Sequence, residues 1–415
     1  MMAARAPAQP RPGETLAGMG KKKRTTMNPP RTGLVTLFVM NLLCACGGEE
    51  GEASGPYSTS TAASSAPTLD QTNNPVYAEL STYKSWLSTS TNAATALAAD
   101  TTKANNIVSW QMPHGGFYKI PSWYDSAWNG KAARSEWLGA NGVELGTIDN
   151  DATVSEILFL ADVYKRGGKT SHRDAARRAL DFLLIMQSSS GGWPQVYPAR
   201  SGTSYSNDIT FNDDAMVRVL VLLDHASRQK APLDGDIFTS EQRAKLATAI
   251  DKGVNYILKA QIVQGGVKTV WCAQHDPVSY APKGARAYEL PSRSGKESVG
   301  IVTFLMTRPQ TAEVKAAVQA AIAWYKRSTV KVANTAYVKR PSGNTDDTYN
   351  PIQTKAGSTL WYRFYDLNQD KGFFSDRTGG KFYDIMDIEA ERRYGYEWGG
   401  SYGTKLITYS DSVGY

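Results

Sequence analysis

Two short acidic segments stand where this 415-residue chain could bind a cation or carry out acid–base chemistry. Asp149–Asp151 (DND) and Asn212–Asp214 (NDD) each directly precede an apolar run with helical spacing. One explanation is helix capping, in which a side-chain oxygen accepts a hydrogen bond from a free backbone N–H. A cap needs one residue, however, and each segment offers three. Carboxylate and amide oxygens are the ligands that Ca²⁺ prefers, so the segments predict a calcium-binding region if they lie close together.

Arginines later in the chain could recognise an acidic polymer. Arg286 lies in the loop before a third apolar helical run, Arg363 follows an aromatic pair, and Arg377 lies in a short polar segment. The ordinary explanation for each is a surface or ion-paired arginine with little energetic effect. A guanidinium group also binds a carboxylate through two parallel hydrogen bonds, and aromatic rings pack on sugar faces. Together these residues indicate a site for a uronic-acid polymer.

Two kinds of predicted helix must position these residues. Amphipathic helices are expected at Ala175–Gln187, Ala247–Gln261 and Ala316–Lys326, and more uniformly apolar ones at Asp151–Arg166, Asp214–Ser227 and Glu297–Met306. Their alternation suits a ring of helix pairs with the apolar helices inside. We therefore predict a predominantly all-α fold, an (α/α)3 toroid with short irregular strands in its loops, one of them within Thr329–Val338. The acidic helix starts would then gather at one mouth of the toroid.

The N-terminal part of the chain has the pattern of a targeting segment. Residues 1–45 contain seven Lys/Arg and one Glu, so they carry most of the net charge of +7 and the rest of the chain is nearly neutral. The basic character is therefore no argument for nucleic-acid binding. A basic stretch before the short apolar run Gly33–Leu43 is typical of a secretory signal. The run ends in LCAC, which resembles a bacterial lipobox with lipidation at Cys46, although simple cleavage near Gly47 also fits, and Met19 or Met27 could be the true start.

These patterns divide the chain into a signal peptide at 1–46, a flexible Ser/Thr/Gly-rich linker at 47–75 and one catalytic domain at 76–415. We expect an exported protein that is either secreted or anchored to the cell surface through a lipid on Cys46. Cys272 is the one cysteine beyond the leader, which excludes a disulfide within the domain and a zinc site built on several cysteines. Nothing in the sequence indicates an obligate oligomer, so a monomer is expected.

Five ordered segments resemble the successive signatures of polysaccharide lyase family 10. They are Thr147–Thr153, Gly191–Pro198, Ile209–Met216, Trp271–Asp276, and Ala285–Ser292 with Ser294–Ser298. The resemblance extends from about Asn105 to Trp398. It has two small departures, since Asp151 stands where a glycine is expected and Arg293 where an apolar residue is usual. The family comprises pectate lyases with an (α/α)3 toroid fold, and the resemblance implies this fold and activity here.

The resemblance also implies roles for the acidic residues. Asp149 and Asn150 match the motif that holds the catalytic calcium and the adjacent sugar, so Asp149 is expected to be catalytic and a calcium ligand, and Asn150 to bind substrate. The pair Asp213 and Asp214 matches the second acidic element, and which of the two reaches the ion stays open.

For the basic residues, Arg286 matches the family's catalytic base, and Arg363 and Arg377 match groups that hold substrate carboxylates. The implied reaction is calcium-dependent cleavage of α-1,4-polygalacturonate by β-elimination, which releases 4,5-unsaturated oligogalacturonates.

Two other functions fit some of the same residues. An inverting glycoside hydrolase of acidic polysaccharide would use Asp149 and either Asp213 or Asp214 as its acid and base. Such an enzyme has no need of Arg286 or of a metal. A non-catalytic surface receptor tethered through Cys46 would keep the arginines and aromatic residues but would leave the polymer uncut.

Overall fold

Helices dominate residues 68–415, the part of the chain that the computed structural model describes apart from the side chains of residues 78 and 79. They are α1 (Ala93–Trp110), α2 (Val154–Gly167), α3 (Thr170–Met186), α4 (Ala215–Ser227), α5 (Ser240–Ala260), α6 (Glu297–Leu305), α7 (Ala312–Lys326), α8 (Ala390–Gly395) and α9 (Tyr402–Ser412). None of these helices is long and apolar enough to cross a membrane. The predicted signal peptide and all but the end of the predicted linker lie outside the described residues.

The strands are short and pair in an antiparallel manner. They are β1 (Gly146–Thr147), β2 (Val196–Tyr197), β3 (Ile209–Thr210), β4 (Val263–Gln264), β5 (Val267–Lys268), β6 (Gln274–His275), β7 (Pro282–Lys283), β8 (Arg293–Ser294), β9 (Val332–Tyr337), β10 (Ile352–Tyr362), β11 (Phe364–Tyr365), β12 (Gly372–Ser375), β13 (Lys381–Phe382) and β14 (Gly399–Gly400). The strand predicted within Thr329–Val338 is present as β9. Its long partner β10 was not predicted, because the first half of β10 is mostly polar and exposed.

Helices α2, α4 and α6 form an inner set, and α3, α5 and α7 form an outer set that packs against it. The inner helices are buried on almost all sides, whereas each outer helix buries one apolar stripe. This arrangement confirms the predicted predominantly α-helical fold of alternating inner and outer helices. A further outer helix, α1, packs on α2 and α3 and was not predicted, because it buries few side chains.

Glutamine side chains join successive outer helices. Each amide donates to a carbonyl of its own loop and to one on the next outer helix, at 2.8–2.9 Å: Gln111 to Gly115 and Ala175, Gln187 to Gly191 and Ala249, and Gln261 to Thr269 and Ala317. Gly115 and Gly191 have φ values of 96° and 107°, and a Cβ on either would lie within 2.3 Å of a backbone oxygen of the neighbouring helix. Glycine is therefore required at both turns.

Short strands fix where the inner helices begin. Strands β1, β3 and β8 lead into α2, α4 and α6, and they pair with β2, β6 and β11, which follow α3, α5 and α7. The start of each inner helix is thereby tied to the end of an outer one. All three inner helices consequently begin at the same end of the fold, which we call the mouth.

The segment before α1 packs against the inner helices. The side chains of Gln71 and Asn74 donate to the carbonyls of Met306 and Thr303 at 2.7 and 2.9 Å. Val76 is buried in the core. The last residues of the segment predicted as a linker are therefore part of the folded unit.

Candidate functional site

The two acidic segments form nearly identical turns at the mouth. Each is a single 3₁₀ turn between a two-residue strand and an inner helix. Asn150 and Asp151 have φ values of 51° and 65°, and Asp213 and Asp214 have values of 49° and 61°. Left-handed backbone at a non-glycine residue costs about 1–3 kcal/mol, so four such residues mark a conformation that the surroundings enforce. The left-handed backbone of Asp151 also explains why a glycine is expected at position 151.

Helix capping does not account for these carboxylates. Helix α2 begins at Val154 rather than at the predicted Asp151, and α4 begins at Ala215 rather than Asp214. The residues at the two N-cap positions, Thr153 and Asp214, make no side-chain capping bond. The two helix starts were predicted three residues and one residue early, because the acids stand in the preceding turn. Their side chains are left for other contacts.

The first acidic turn faces the opening of the mouth. The Asp149 carboxylate is 6% exposed and accepts a 2.5 Å hydrogen bond from the Lys119 ammonium group. Lys119 also lies 4.4 Å from the ring centre of Trp137. The neighbouring Asn150 is exposed. The turn thus presents one paired carboxylate and one exposed amide to a ligand.

The second acidic turn rests on a buried charge network. Asp213 Oδ1 lies 3.2 Å from both Lys296 Nζ and Arg363 Nη2. Arg363 is itself buried and contacts the fully buried Glu297 at 2.5 Å. Burial would raise the pKa of Asp213, but Arg363 and Lys296 hold it below its ordinary value. Asp213 is therefore ionised and fixed in place at neutral pH.

Arg218 on α4 links the two turns. Its Nη1 atom lies 2.6 Å from Asp151 Oδ1 and also donates to the backbone carbonyl of Asp213. Asp151 Oδ2 accepts a further bond from the Thr82 hydroxyl at 2.8 Å. The two turns that the sequence analysis expected at one mouth are thus adjacent.

The predicted calcium ligands do not form a ready-made carboxylate cage. Within residues 68–415, no three His, Cys, Asp or Glu side chains come together as a metal-binding group. Asp149 and Asp213 each contact a lysine. Asp214 packs against α6, since a Cβ on Gly300 would lie 2.5 Å from its Oδ1. Of Asp213 and Asp214, it is Asp213 that contacts Arg363, which also donates a hydrogen bond to Asn212.

Arg286 forms a bidentate ion pair with Glu289. Its Nε and Nη2 atoms donate to the two carboxylate oxygens at 2.7 and 2.5 Å, and its side chain is 44% exposed. Burial would lower the pKa of Arg286, but the Glu289 carboxylate raises it above its ordinary value. This shift is opposite to what a proton-accepting arginine needs.

Aromatic rings connect the three predicted arginines. Arg286 and Arg377 lie 4.9 and 5.7 Å from the ring centre of Tyr288. Arg377 is half exposed and pairs with Glu391 at 2.8 Å. Arg363 lies 4.7 Å from the ring of Tyr396, whose hydroxyl donates to Glu289 at 2.8 Å.

The structure therefore brings Arg286 and Arg377 together near the surface, and it places Arg363 beneath them in the protein interior.

Tyr205 lies near enough to both Arg286 and Asp149 for their charges to act on its phenol. Burial raises the pKa of its phenol, Arg286 opposes that rise, and Glu289 and Asp149 add to it. The charges on both sides of the mouth thus act on one side chain. Tyr205 is 37% exposed, so it is accessible from the opening.

The sequence matches the pectic acid lyase family over residues 111–407. The chain belongs to this family. A family 10 polysaccharide lyase from Cellvibrio cellulosa is 45% identical, covers 84% of this chain and 98% of its own, and superposes with a TM-score of 0.72. A mutant of a family 10 lyase from the same organism, solved with trigalacturonic acid, has the same identity, share of this chain and TM-score, with 100% of its own chain covered. No curated protein matches the chain.

Sequence reasoning missed several residues that shape the site of this pectate lyase. Lys296 and Glu297 stand directly before or at the start of the third inner helix, where the other two inner helices have their acidic turns. Aligning the three helix starts could have singled them out. Lys119 and Arg218 have no comparable local signal, since each reaches its aspartate only through the fold.

His275, which lies in the matching segment Trp271–Asp276, is a structural residue. It is fully buried, and its ring nitrogens bond the backbone of Cys272 and Tyr280.

Proposed function

We propose that this pectate lyase cleaves α-1,4-linked polygalacturonate by calcium-dependent β-elimination and releases 4,5-unsaturated oligogalacturonates. The observation that carries the proposal is the arrangement at the mouth, where two adjacent acidic turns connect through Arg363, Tyr396 and Glu289 to Arg286. Such a site offers oxygen ligands to a cation and guanidinium groups to carboxylates. A relative that is 45% identical was solved with trigalacturonic acid, a short form of this polymer.

The donor set suits a hard cation. Asp149 and Asp213 would hold calcium, Asp214, which packs against α6, would be a more distant member of the set, and Asn150 would bind the adjacent sugar. Calcium takes six to eight oxygen ligands, more than these side chains supply, so water and polymer carboxylates would complete the set. Bound calcium would neutralise the C6 carboxylate of the sugar and so make the neighbouring C5 proton more acidic. Lys119 and Lys296 stay beside the aspartates and limit the negative charge there.

Arg286 would take the C5 proton of the bound sugar. The electrons of the C–H bond would form the C4=C5 double bond, the C4–O4 bond would break, and the departing oxygen would take a proton from water. Arginine normally stays protonated, and the contact with Glu289 strengthens that tendency. A base role therefore requires the Arg286–Glu289 pair to open when substrate binds. Arg377 would bind a polymer carboxylate at the surface, while Arg363 holds Asp213 in place from below.

We also propose that the protein is exported and acts as a monomer. The basic and then apolar N-terminal sequence supports a signal peptide, and LCAC supports a lipid on Cys46. Mass spectrometry of the N-terminus would distinguish a lipidated Cys46 from simple cleavage near Gly47.

The deciding experiment mixes the purified protein with polygalacturonate at alkaline pH and follows the ultraviolet absorbance of the unsaturated product. We expect a rise that needs calcium and stops when a chelator is added. New reducing ends without the absorbance change would indicate hydrolysis. Polymer binding with neither signal would indicate a receptor.

The base assignment has its own test in Arg286→Lys, with Arg377→Lys as the matched control. We expect the first variant to lose about a hundredfold or more in kcat, and the second to raise KM with kcat nearly unchanged. Near-wild-type turnover of the Arg286 variant at neutral pH would show that this arginine is not the base. Glu289→Gln should move the activity to lower pH, because it removes the carboxylate that raises the pKa of Arg286.

A further inference from the structure

Arg200 differs from the other arginines of the mouth because it lacks a carboxylate partner. Arg286, Arg363 and Arg377 each contact a glutamate. Within residues 68–415, Arg200 forms no ion pair, and its buried Nε atom has no hydrogen-bond partner. A buried donor without a partner is rare in proteins and calls for an explanation, such as a ligand that satisfies it.

The backbone of Arg200 is firmly held. Its N–H donates to the side-chain oxygen of Asn207 at 2.8 Å, and its carbonyl accepts from the amide nitrogen of the same side chain at 2.9 Å. The loop closed by these bonds also carries Tyr205. Arg200 and Tyr205 are therefore presented together, and the charge of Arg200 acts on the Tyr205 phenol along with those of Asp149 and Arg286.

Trp137 provides an aromatic surface next to this guanidinium group. The Arg200 guanidinium carbon lies 5.2 Å from the centre of the ring, and Lys119 Nζ lies 4.4 Å from it. Lys119 in turn contacts Asp149, so the tryptophan adjoins the first acidic turn. Glu136, the acid next in sequence to Trp137, accepts from Tyr118 instead of pairing with Arg200.

We infer that Arg200 and Trp137 form an additional sugar-binding subsite, which takes a galacturonate unit of the polymer on the Asp149 side of the mouth. The free guanidinium fork binds the C6 carboxylate through two hydrogen bonds, and the indole packs against the sugar. This inference rests on the proposed function for the identity of the polymer. Arg200 is a separate guanidinium group from Arg286 and Arg377, so the subsite favours chains long enough to engage more than one of these arginines, and it rejects methyl esters, which have no carboxylate charge.

The test compares Arg200→Ala with wild type on galacturonate oligomers of increasing length. We expect KM for long chains to rise about tenfold, the typical loss for a charged hydrogen-bonded pair, while kcat changes less than about twofold. The gain in affinity with chain length should disappear, and so should the preference for free over methyl-esterified polymer. Arg200→Lys keeps the positive charge but lacks the paired guanidinium donors, and it should recover part of the affinity.

Arg173→Ala is the matched control, because Arg173 also lies over a tyrosine ring, at 5.5 Å, but stands near the start of α3 at the other end of the helices. Its KM should equal that of wild type. Unchanged KM in Arg200→Ala would overturn the subsite, and so would an equal loss on every chain length accompanied by a lower Tm.

Calorimetric binding of the polymer, with and without calcium, separates this inference from the proposed function. A wild-type protein that forms no unsaturated product but binds the polymer more tightly than Arg200→Ala would refute the lyase chemistry and retain the subsite. A wild-type protein that forms product and binds no better than Arg200→Ala would retain the chemistry and refute the subsite.

Discussion

The two acidic turns have the same backbone but different surroundings. Both join a two-residue strand to an inner helix through consecutive left-handed residues. The first turn exposes Asn150 and pairs Asp149 with a lysine that is 25% exposed. The second pairs Asp213 with Arg363, which is buried against Glu297. One local conformation thus exposes an amide in the first turn and contacts a buried ion pair in the second.

Distant parts of the chain create this difference. Lys119 reaches the first turn from the loop after α1, and Arg363 reaches the second from the segment between β10 and β11. An ion pair near solvent contributes little to stability, whereas a buried charge that loses its partner is costly. Asp149 is itself buried, but its partner Lys119 is 25% exposed, so water can take the place of the lysine, whereas Arg363 stays buried. Loss of a partner should therefore cost less stability at the first turn than at the second.

The largest expected effect is on stability at the second turn. Glu297→Ala leaves the buried Arg363 without its closest carboxylate and should lower the free energy of unfolding by about 3–5 kcal/mol. Urea denaturation measures the change. Lys119→Ala at the first turn is the comparison, with a smaller expected loss of about 1–3 kcal/mol, because removal of the partly exposed lysine opens the Asp149 carboxylate to water. Equal losses in the two variants would remove the contrast between the turns.

The next effect is on catalysis at the first turn. Asp149→Asn should reduce kcat by about 10²–10³-fold, because it removes charge where the reaction needs it, while the free energy of unfolding falls by about 1–2 kcal/mol, less than for Asp213→Asn. Asp213→Asn should lower both kcat and the free energy of unfolding. Steady-state kinetics and denaturation of each variant check this. The contrast is wrong if Asp149→Asn proves as unstable as Asp213→Asn.

A smaller effect is expected for the link between the turns. Arg218→Gln removes the ion pair with Asp151 and weakens the bond to the Asp213 carbonyl, and it should cost about 2 kcal/mol of stability. Because both residues belong to one network, the double variant with Asp151→Asn should lose less than the sum of the single losses. Strict additivity in a double-mutant cycle would show that the turns are independent.

The smallest expected effect is on stability at acidic pH, and it comes from the exposed glutamate that pairs with Arg377. Hydrogen bonds from Arg392 and Arg377 lower the pKa of Glu391 to about 2 from 4.5. The folded-state pKa is the lower one, so this contribution to stability is present above about pH 4.5 and is lost as the pH falls towards 2. Glu391 is about half exposed, and solvent screening limits the effect to about 1 kcal/mol or less.

Denaturation curves at pH 6 and pH 3 would show the acid effect as a slightly flatter pH dependence for Glu391→Gln. Glu289→Gln should flatten it too, because burial, which raises the pKa of Glu289, is outweighed by the hydrogen bonds from Arg286 and Tyr396, which lower it. An unchanged pH dependence in Glu391→Gln would show that its ion pairs contribute nothing to stability.

The sequence by itself determined the helical class and the nature of the candidate site. Apolar spacing identified the inner and outer helices, because a residue's position on a helix follows from its place in the chain. Adjacent residues such as Asp149 and Asn150 remain neighbours in any fold, so the acidic segments were visible as units. The ordered motifs also indicated the lyase family, which the match over residues 111–407 confirms.

Only the tertiary structure decided which of these groups are paired, buried or accessible. Arg286, Arg363 and Arg377 look alike in the sequence, yet one pairs at the surface with Glu289, one is buried against Glu297 and one lies half exposed on Glu391. The sequence did not single out Arg200. Only the structure shows that its Nε atom has no hydrogen-bond partner and that its guanidinium group lies next to Trp137. The physical reason is that pairing and desolvation depend on residues far apart in the chain, whose approach is set by the packing of whole helices.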